Sequence, residues 1–319
     1  MVEIIGLGEV VKDWVAVIDH FPQPDEKVDS IEQKLFSGGV TANFCTAAAR
    51  LGINTGFAGA VGDDADGDFL LQDFKTEGVD TTAYLKKKGM NTGVNFIFVV
   101  QSTGEKSIIQ SPYMQTTKLS VEDIQNHKDY FASAKLLHTT CLHLDITLEA
   151  MKIVKTAGGK VSFDLESQIA SRGVDAFKDI FKYVDILLPN KLGAMTLTKA
   201  NTPEEAAQKF LDMGINMVVM TKGEEGAMVV QKTPDGYKEY SVPAFKINPI
   251  DTTGAGDTFC AAFLGSYVIK GKSIESSLKI ANAAAALKCL KLGARTGMPK
   301  ESELIQFLAT NGIDYNLLK

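Results

Sequence analysis

Short apolar runs, each bounded by turn residues, recur along the chain and alternate with segments of helical periodicity. Each run is four or five residues long and carries few polar residues, which is typical of strands buried on both faces of a parallel sheet. The five clearest runs are residues 4–7, 135–139, 161–165, 184–188 and 217–221.

Helical patterns fill the intervals between these runs. The clearest are residues 121–134, 148–157, 176–183 and 203–213, the last preceded by Thr202 as an N-cap and opened by Pro203. This alternation of strand and helix predicts an α/β fold, in which helices cover both faces of a central, mostly parallel sheet.

Residues 12–36 and 90–111 interrupt the alternation, because they contain β-rich patterns separated by Pro, Gly and Ser without helices between them. We expect the two segments to form a small separate sheet within a single domain of residues 1–319. Such a sheet could fold over a substrate as a lid and exclude water. An antiparallel edge of the main sheet is the alternative interpretation.

Composition narrows the range of partners. The chain has a formal net charge of −6, and its longest basic run, residues 86–88, is short, so we expect no nucleic-acid partner. No uncharged stretch approaches the roughly 18 residues that span a bilayer, and the first residues lack the pattern of a signal peptide. We therefore expect a cytoplasmic protein without a membrane partner.

The most informative local feature is the heptapeptide Asp-Thr-Thr-Gly-Ala-Gly-Asp of residues 251–257, which precedes an apolar helical run at residues 259–268. Gly254, Ala255 and Gly256 have no bulky side chains, so their N–H groups can surround an anion at the positive end of that helix. Asp257 would then lie beside the anion, where a carboxylate can orient an attacking hydroxyl and accept its proton. A glycine-rich helix start capped by Asp257 is the simpler alternative.

A second cluster lies at residues 37–43, Ser-Gly-Gly-Val-Thr-Ala-Asn. Gly38 and Gly39 let the backbone approach a ligand closely, and Asn43 brings a donor and an acceptor to the start of a helix. These features suit a polyhydroxylated ligand. An ordinary turn followed by an Asn cap is the alternative.

The two clusters together resemble the two signatures of the ribokinase-like, or PfkB, family of carbohydrate kinases. Their order and their separation of about 200 residues also match. The matching series is Gly38-Gly39, Asn43, Gly52, Gly59, Gly62-Asp63 and the heptapeptide, with further matches at Asp13, Asn190, the Thr221–Gly226 turn and the Ala-rich segment around Asn282. The resemblance implies a three-layer αβα sandwich with a small β-sheet lid, and an ATP-dependent kinase that phosphorylates a hydroxyl of a sugar or sugar derivative.

The resemblance also implies roles for individual residues. Asp257 matches the catalytic base, and the backbone of Gly254, Ala255 and Gly256 matches the anion hole, which would act together with Mg²⁺ carried on the ATP phosphates. Positions that bind substrate hydroxyls in this family are matched by Asp13, Gly38, Gly39 and Asn43. Those that resemble the nucleotide site are Asn190, Thr221, Lys222, Gly223, Gly226 and Asn282. Asp251 and Thr253 resemble positions that surround a monovalent cation, which makes K⁺ a candidate activator.

The chain departs from the family pattern after Asn190. Lys191-Leu192-Gly193 follows, whereas the usual motif is Asn-x-x-Glu, in which the Glu organises Mg²⁺ and phosphate through water. Gly193 cannot do this, so either another acid such as Glu166 substitutes, or the metal is held less tightly, or the kinase is impaired. Val11 and Val40 stand where ribokinase has polar residues, so we expect a sugar other than ribose.

Two further alternatives stay open. A nucleoside or a sugar phosphate is the main alternative substrate, since Trp14, Phe36 and Tyr113 could stack on a base or fill the core of the lid. A catalytically weak sugar- or nucleotide-binding sensor is suggested by Gly193, although the retained Asp257 argues against it.

The lid also bears on the oligomeric state. Exposed lid strands favour edge pairing with other molecules, which a homodimer through the lid would prevent.

Overall fold

The structure, a computed structural model, describes residues 1–318 and, of Met114, only the backbone. Thirteen strands are formed within this range. They are β1 Ile4–Leu7, β2 Val11–Ile18, β3 Glu32–Gly38, β4 Thr55–Gly62, β5 Asp80–Lys87, β6 Val94–Val100, β7 Lys106–Gln110, β8 Leu136–Thr139, β9 Lys160–Leu165, β10 Ile186–Pro189, β11 Met217–Thr221, β12 Ala227–Thr233 and β13 Gly236–Val242.

The same range contains thirteen α-helices. They are α1 Val40–Arg50, α2 Ala65–Thr76, α3 Tyr113–Thr116, α4 Val121–Asn126, α5 Lys128–Ala132, α6 Leu144–Thr156, α7 Ser167–Ala170, α8 Lys178–Phe181, α9 Lys191–Thr198, α10 Pro203–Asp212, α11 Ala255–Leu264, α12 Ile274–Lys288 and α13 Glu301–Thr310. None of the helices between residues 1 and 318 is long and apolar enough to cross a membrane.

Nine strands form the large sheet, in the order β13-β12-β11-β10-β9-β8-β1-β4-β5. All neighbours pair in parallel except β11 with β12 and β12 with β13, which form an antiparallel edge. Successive residues of the central strands are buried in different clusters: Ile4 and Leu136 pack in one hydrophobic core, and Ile5 and Leu137 in the other. The apolar runs are therefore buried on both faces, and the predicted α/β sandwich is confirmed.

Most predicted elements are present, with corrected boundaries. Thr202 caps α10 by accepting a hydrogen bond from the Glu205 N–H at 3.1 Å, with Pro203 in the first turn. The predicted helix at residues 121–134 was wrong as one element: it breaks at His127 into α4 and α5. Asn126 and His127 both have low helix propensity, so little opposes the break. Only α8 and a preceding 3₁₀ turn, Val174–Phe177, occupy the segment predicted as a helix at residues 176–183.

A second sheet of four strands, in the order β3-β2-β6-β7, is formed by the two segments that interrupted the alternation. We call it the small sheet. In the part of the chain that the structure describes, none of its strands pairs with the large sheet, so the alternative of an antiparallel edge was wrong. Asp64 fixes the base of β6, because its carboxylate caps α2 through the Gly67 N–H and also accepts a bond from the Thr92 N–H, each at 2.8 Å.

Candidate active site

Polar side chains gather where the central parallel strands end. Glu9 follows β1, Glu166 follows β9, and Asn190 follows β10. Because parallel strands present their carboxyl ends at one edge of the sheet, these side chains are brought to the same side of the molecule. Ligands bind at this edge in open α/β sheets.

The heptapeptide at residues 251–257 forms the start of α11. Gly254 is the N-cap with φ +80°, and a Cβ there would lie 2.5 Å from the carbonyl oxygen of Ala294, so only glycine fits. The helix begins at Ala255, four residues earlier than the predicted start at residue 259, and its regular part ends at Leu264, where a π-helical turn follows. Gly254, Ala255 and Gly256 therefore belong to the helix N-terminus itself, where N–H groups lack intrahelical partners.

Not all of these N–H groups are available to an anion. The Ala255 N–H donates to the Thr252 carbonyl at 3.1 Å. Within residues 1–318, the N–H groups of Gly254 and Gly256 have no acceptor, and a Cβ on Gly256 would meet nothing within 4 Å. The open space over Gly256 leaves room for a phosphoryl group at the positive end of the helix.

Asp257 lies in the first turn of α11, with only 9% of its surface exposed. One carboxylate oxygen, Oδ2, accepts a hydrogen bond from Asn43 Nδ2 at 2.8 Å. Burial raises the pKa of Asp257 to about 7; Glu9 acts in the same direction, whereas Asn43 and Arg295 oppose the rise. A carboxylate with a pKa near neutrality is well matched to accept a proton from an alcohol.

Asn43 is oriented by Arg295. The Arg295 Nε donates to Asn43 Oδ1 at 2.9 Å, so the amide NH₂ of Asn43 must face Asp257. Arg295 also donates to the Gly38 carbonyl at 3.2 Å and forms an ion pair with Asp73. One buried guanidinium thus connects the Gly38 turn, the amide of Asn43 and helix α2, and it fixes the direction in which Asn43 points.

Asp13 projects from the small sheet into the same region. Its Oδ1 accepts a hydrogen bond from Asn95 Nδ2 at 2.8 Å, and a Cβ on Gly38 would lie 2.2 Å from its Oδ2. Burial raises the pKa of Asp13, while Asn95 and Arg295 lower it. Asn95 Oδ1 is buried and has no hydrogen-bond partner among the described residues. Since buried polar atoms are almost always paired, this oxygen is suited to accept a bond from a ligand hydroxyl.

The small sheet faces the heptapeptide. In the register of the sheet, Asp13 lies opposite Phe36 and Asn95, so these side chains share one face. Lys106, at the start of β7, donates from Nζ to Thr253 Oγ1 at 3.2 Å, and Phe36 lies 3.6 Å from the position that a Cβ on Gly293 would take. The space between Asp13 and Asp257 is consequently bounded by the small sheet on one side and by α1 and α11 on the other.

Three further acids, Glu9, Asp164 and Glu166, lie near enough to Asp257 to interact with it electrostatically. The carboxylate of Glu9 accepts bonds from the Val40 N–H at 2.9 Å and from Thr140 Oγ1 at 3.1 Å. Burial, reinforced by Glu166, Asp257 and Glu9, raises the pKa of Asp164 well above its ordinary value. Burial, with Glu9 and Asp257, also raises the pKa of Glu166 to about 8. Mutual repulsion of this kind favours a bound cation or bound protons.

Gly193 is a packing residue. A Cβ there would lie 2.8 Å from the Leu165 carbonyl oxygen and 3.2 Å from the Ser167 N–H nitrogen. These two atoms flank Glu166 in the chain. Helix α9 therefore approaches the end of β9 so closely that any side chain at position 193 would displace the segment that carries Glu166.

The residues predicted for the nucleotide site lie at the ends of β10 and β11. Asn190 and Thr221 form a parallel bridge, and Asn190 caps α9 by accepting from the Gly193 N–H at 2.6 Å. The turn from Thr221 through Lys222 and Gly223 closes when the Lys222 N–H donates to the Gly226 carbonyl at 2.8 Å. Lys222 makes no side-chain hydrogen bond or ion pair with any residue that the structure describes.

Gly226 and Asn282 contact the chain after β13. A Cβ on Gly226 would lie 2.2 Å from the Val242 carbonyl oxygen, and Asn282 Nδ2 donates to the carbonyls of Val242 and Pro243 at 3.1 and 3.0 Å. Both residues therefore hold residues 242–243 in place. In this arrangement Gly226 and Asn282 shape the protein surface beside the Thr221–Gly226 turn. Both N–H donors of the Asn282 amide are taken up by backbone carbonyls of the protein.

Asp251 and Thr253 lie together at the start of the heptapeptide. Asp251 Oδ1 accepts bonds from the Thr253 N–H and Thr253 Oγ1 at 2.9 and 2.7 Å, and Oδ2 accepts from the Gly293 N–H at 2.8 Å. Asp251 thus connects the heptapeptide to the loop whose Ala294 lies beneath Gly254. These contacts rigidify the turn that carries the free N–H groups.

Comparison with known proteins agrees with this geometry. The family model of the pfkB family carbohydrate kinases matches residues 1–301. The chain belongs to the pfkB family of carbohydrate kinases. It is similar to ribokinase of Haemophilus influenzae, at 30% identity over 95% of this chain and 97% of that protein, and to an uncharacterized sugar kinase of Archaeoglobus fulgidus, at 35% identity over 79% and 98%.

A solved structure is also similar. Arabidopsis thaliana ribokinase complexed with ribose and ATP superposes with a TM-score of 0.85, at 25% identity, covering 97% of this chain and 99% of that one. This pfkB family member is therefore an ATP-dependent carbohydrate kinase with the ribokinase-like fold. The predicted family, fold and enzyme class are confirmed.

Glu9, Asn95 and Arg295 also belong to the site, but they were not predicted from the sequence. Glu9 follows β1 within Gly8-Glu9-Val10, and a charged residue directly after a buried strand is a readable signal. Asn95 is harder to recognise, because a single amide in a β-rich segment carries no periodic signal. Arg295 follows the matched pair Gly293-Ala294, yet its contacts are formed with residues more than 200 positions away.

We predict that Arg295 acts on catalysis by positioning Asn43 and by opposing the rise in the pKa of Asp257. Arg295→Met should lower the sugar-dependent turnover of ATP about 10- to 100-fold, because misplaced groups at a reacting centre lose that order of rate. Its kcat/KM should also reach half its maximum at a higher pH than in the wild-type enzyme. Arg295→Lys keeps the charge but not the bridging geometry, so its turnover should fall without that pH shift. Equal pH midpoints in the Met variant and the wild type would contradict this role.

Proposed function

We propose that this kinase phosphorylates a hydroxyl of a free sugar or sugar derivative, with Asp257 as the catalytic base. The observation that carries the proposal is the position of Asp257: at the N-terminus of α11, beside two unpaired N–H groups, and held by Asn43 through Oδ2. Its other oxygen, Oδ1, is left for a substrate hydroxyl. Asp13 and Asn95, on the facing sheet, supply further polar partners for a polyol.

The reaction that this arrangement supports is an in-line displacement. The substrate oxygen forms a bond to the γ-phosphorus of ATP while the bond from that phosphorus to the bridging oxygen of ADP breaks. The hydroxyl proton passes to Asp257 as the new bond forms, and the N–H groups of Gly254 and Gly256 stabilise the negative charge on the transferring group. The small sheet acts as a lid that keeps water away from this step.

The nucleotide would approach from the ends of β10 and β11. Thr221, Lys222 and Gly223 form the turn at that end of the site. The ammonium of Lys222 makes no hydrogen bond or ion pair with the described residues and interacts with Glu225 only through its charge, so it is available to a phosphate. We infer that Asn190, Gly226 and Asn282 shape this side of the cleft, because their own contacts fix the surrounding chain.

Mg²⁺ would enter with the phosphates of ATP. No group of three or more acids, histidines or cysteines in the described chain is arranged to hold a metal ion by itself. The donor set nevertheless fits a hydrated divalent cation, because Asp164 and Glu166 are half-buried acids that repel one another and Asp257. When bound, the ion would neutralise phosphate charge.

We propose that Glu166 performs the role that the Glu of the usual Asn-x-x-Glu motif has in the family. The backbone on both sides of Glu166 fills the space into which a side chain at position 193 would extend. A Glu at position 193 and the present position of Glu166 therefore exclude each other. The carboxylate of Glu166 would then orient the water shell of the cation.

Asp257→Asn replaces the carboxylate by a neutral amide. The proposed base is then lost, while the amide oxygen can still accept the hydrogen bond from Asn43 Nδ2. Tested against a panel of sugars, sugar phosphates and nucleosides, the wild-type enzyme should release ADP with one acceptor class, and the variant should be about 10²- to 10⁴-fold slower. Because protonated Asp257 cannot act as a base, the kcat/KM of the wild type should rise with pH through about 7 and then level off.

The same variant tests the pKa independently of activity. A carboxyl whose pKa is raised on folding stabilises the native state only while it stays protonated, so this contribution is lost as pH rises from about 4 to about 7. Asp257→Asn should therefore have a higher Tm than the wild type at pH 8, and the difference should shrink towards pH 5. If no acceptor stimulates ADP release but ligands still raise the Tm, the protein is a sensor and the kinase proposal is wrong.

Glu166→Gln should raise the Mg²⁺ concentration needed for half-maximal turnover about tenfold, because residues that orient metal ligands contribute to metal affinity on that scale. The rise in Tm caused by ADP with Mg²⁺, relative to ADP alone, should shrink in parallel. Glu224→Gln, the same change at an exposed position of the Gly223–Glu225 turn, is the matched control. An unchanged Mg²⁺ requirement in Glu166→Gln would exclude the role.

We also propose that the enzyme is a homodimer in which two small sheets cover each other. Trp14, Leu35, Phe96 and Ile109 are cross-strand neighbours on the face opposite Asp13, and the last three are 48%, 41% and 58% exposed. An apolar face of this kind on a sheet with open edges favours association. Leu35→Lys with Ile109→Lys should convert a dimer to a monomer in light scattering, whereas the exposed control Tyr237→Lys should not. A monomeric wild type at micromolar concentration would contradict the proposal.

A further inference from the structure

Lys288, the last residue of α12, is a fully buried lysine. Its surface is 0% exposed, although an ammonium group is costly to bury without partners. Its Nζ donates to the backbone carbonyl of Asp251 at 2.7 Å and lies 4.0 Å from Asp251 Oδ2. The ammonium therefore lies against the first residue of the heptapeptide, between a carbonyl oxygen and a carboxylate.

The segments around this ammonium are those that support the anion hole. Asp251 is tied to Thr253 by two hydrogen bonds and to the Gly293 N–H by a third. Ala294, which lies between Gly293 and Arg295 in the sequence, packs beneath Gly254. On the other side, a Cβ on Gly297 would lie 2.2 Å from the Lys288 carbonyl oxygen, so the 293–297 loop packs directly on Lys288.

These contacts bear on the predicted cation site. A monovalent cation bound by Asp251 and Thr253 would need carbonyl and carboxylate oxygens directed at it, but the Asp251 carbonyl already accepts the Lys288 ammonium. Both oxygens of the Asp251 carboxylate also accept N–H or O–H donors. The residues present therefore do not fit K⁺ at this position.

We propose that the Lys288 ammonium replaces the monovalent cation, so that the heptapeptide is held by a covalently attached positive charge and turnover does not need K⁺. An ammonium group matches K⁺ in charge and approximate size, and it offers hydrogen bonds where the ion offers coordination. This inference rests on the proposed kinase function, because it assigns Lys288 to the support of the anion hole.

The charge of Lys288 interacts electrostatically with Asp257, the proposed base. Burial lowers the pKa of Lys288, while the carboxylates of Asp251 and Asp257 act in the opposite direction. A fixed positive charge behind the turn favours a phosphate at Gly254 and Gly256. Lys288 makes no contact with a reacting atom in this arrangement, so it is a positioning residue.

Lys288→Ala tests the proposal, because the deletion opens space beside the Asp251 carbonyl in which a small cation can bind. At matched ionic strength, wild-type turnover should differ by less than about twofold between K⁺ and tetramethylammonium, since only general screening changes. In tetramethylammonium, the turnover of Lys288→Ala should be about 10²-fold lower than that of the wild type, which is the scale of the loss of an anion-hole group. Replacing tetramethylammonium by K⁺ or Rb⁺ should raise the turnover of this variant by at least about tenfold. Lys288→Met fills the space without charge, so it should be slow in every salt. Lys279→Ala, an exposed lysine on the same helix, should behave as the wild type.

A second measurement does not depend on turnover. K⁺ should raise the Tm of Lys288→Ala above its value in tetramethylammonium, and it should leave the Tm of the wild type and of Lys288→Met unchanged. If no acceptor supports ADP release, the kinase proposal fails, yet this selective shift would still support the cation role. Strong K⁺ activation of the wild type, or equal activity of Lys288→Ala in both salts, would overturn it.

Discussion

The hydrogen bond between Asn43 and Asp257 is the contact on which the site depends. It joins α1 to α11 across 214 positions of sequence, and it holds the proposed base at the N-terminus of its helix. Arg295 fixes the Asn43 amide from behind and also contacts the Gly38 turn. Hydrogen bonds between buried polar groups therefore connect Asp257 to the turn at Gly38 through Asn43 and Arg295. The positions of Asp257 and of this turn consequently depend on each other.

Such positioning has an energetic consequence. Asp257, Asp164, Glu166 and Glu9 are gathered in one region, and burial raises the pKa of each. Repulsion from neighbouring carboxylates adds to the rise for Asp257, Asp164 and Glu166. Each unit of pKa shift corresponds to about 1.4 kcal/mol of differential stability. The free energy of unfolding at neutral pH is thus lowered by the same cluster that we propose receives the metal–nucleotide complex, and function and stability oppose each other in this way at many active sites.

The sequence was sufficient to predict what depends on local pattern. Apolar runs such as residues 217–221 identified buried strands because both faces of the sheet are covered, and the heptapeptide identified a helix N-terminus because small residues and a following acid lie within one turn. Strand β4 was not recognised, since its three glycines conceal the β pattern. Arg295 and Asn95 could not be found, because their roles arise only when distant segments meet. The helix start at residue 255 was missed because Gly and Ala carry no periodic hydrophobic signal.

Gly193, which departs from the family pattern, and the buried Lys288 show how single residues can be physically coupled to their surroundings. The absence of a side chain at position 193 lets α9 pack against the backbone that flanks Glu166, the acid from another strand that we propose takes the place of the missing Glu. Lys288 likewise brings a positive charge to the Asp251 carbonyl, where we propose that it replaces a free ion. On these proposals a charge is kept in both places, and only the residue that supplies it, or its covalent attachment, differs. A motif search that scores single positions would read Gly193 as a loss, whereas the electrostatics of the site depend on where a charge lies and not on which residue supplies it.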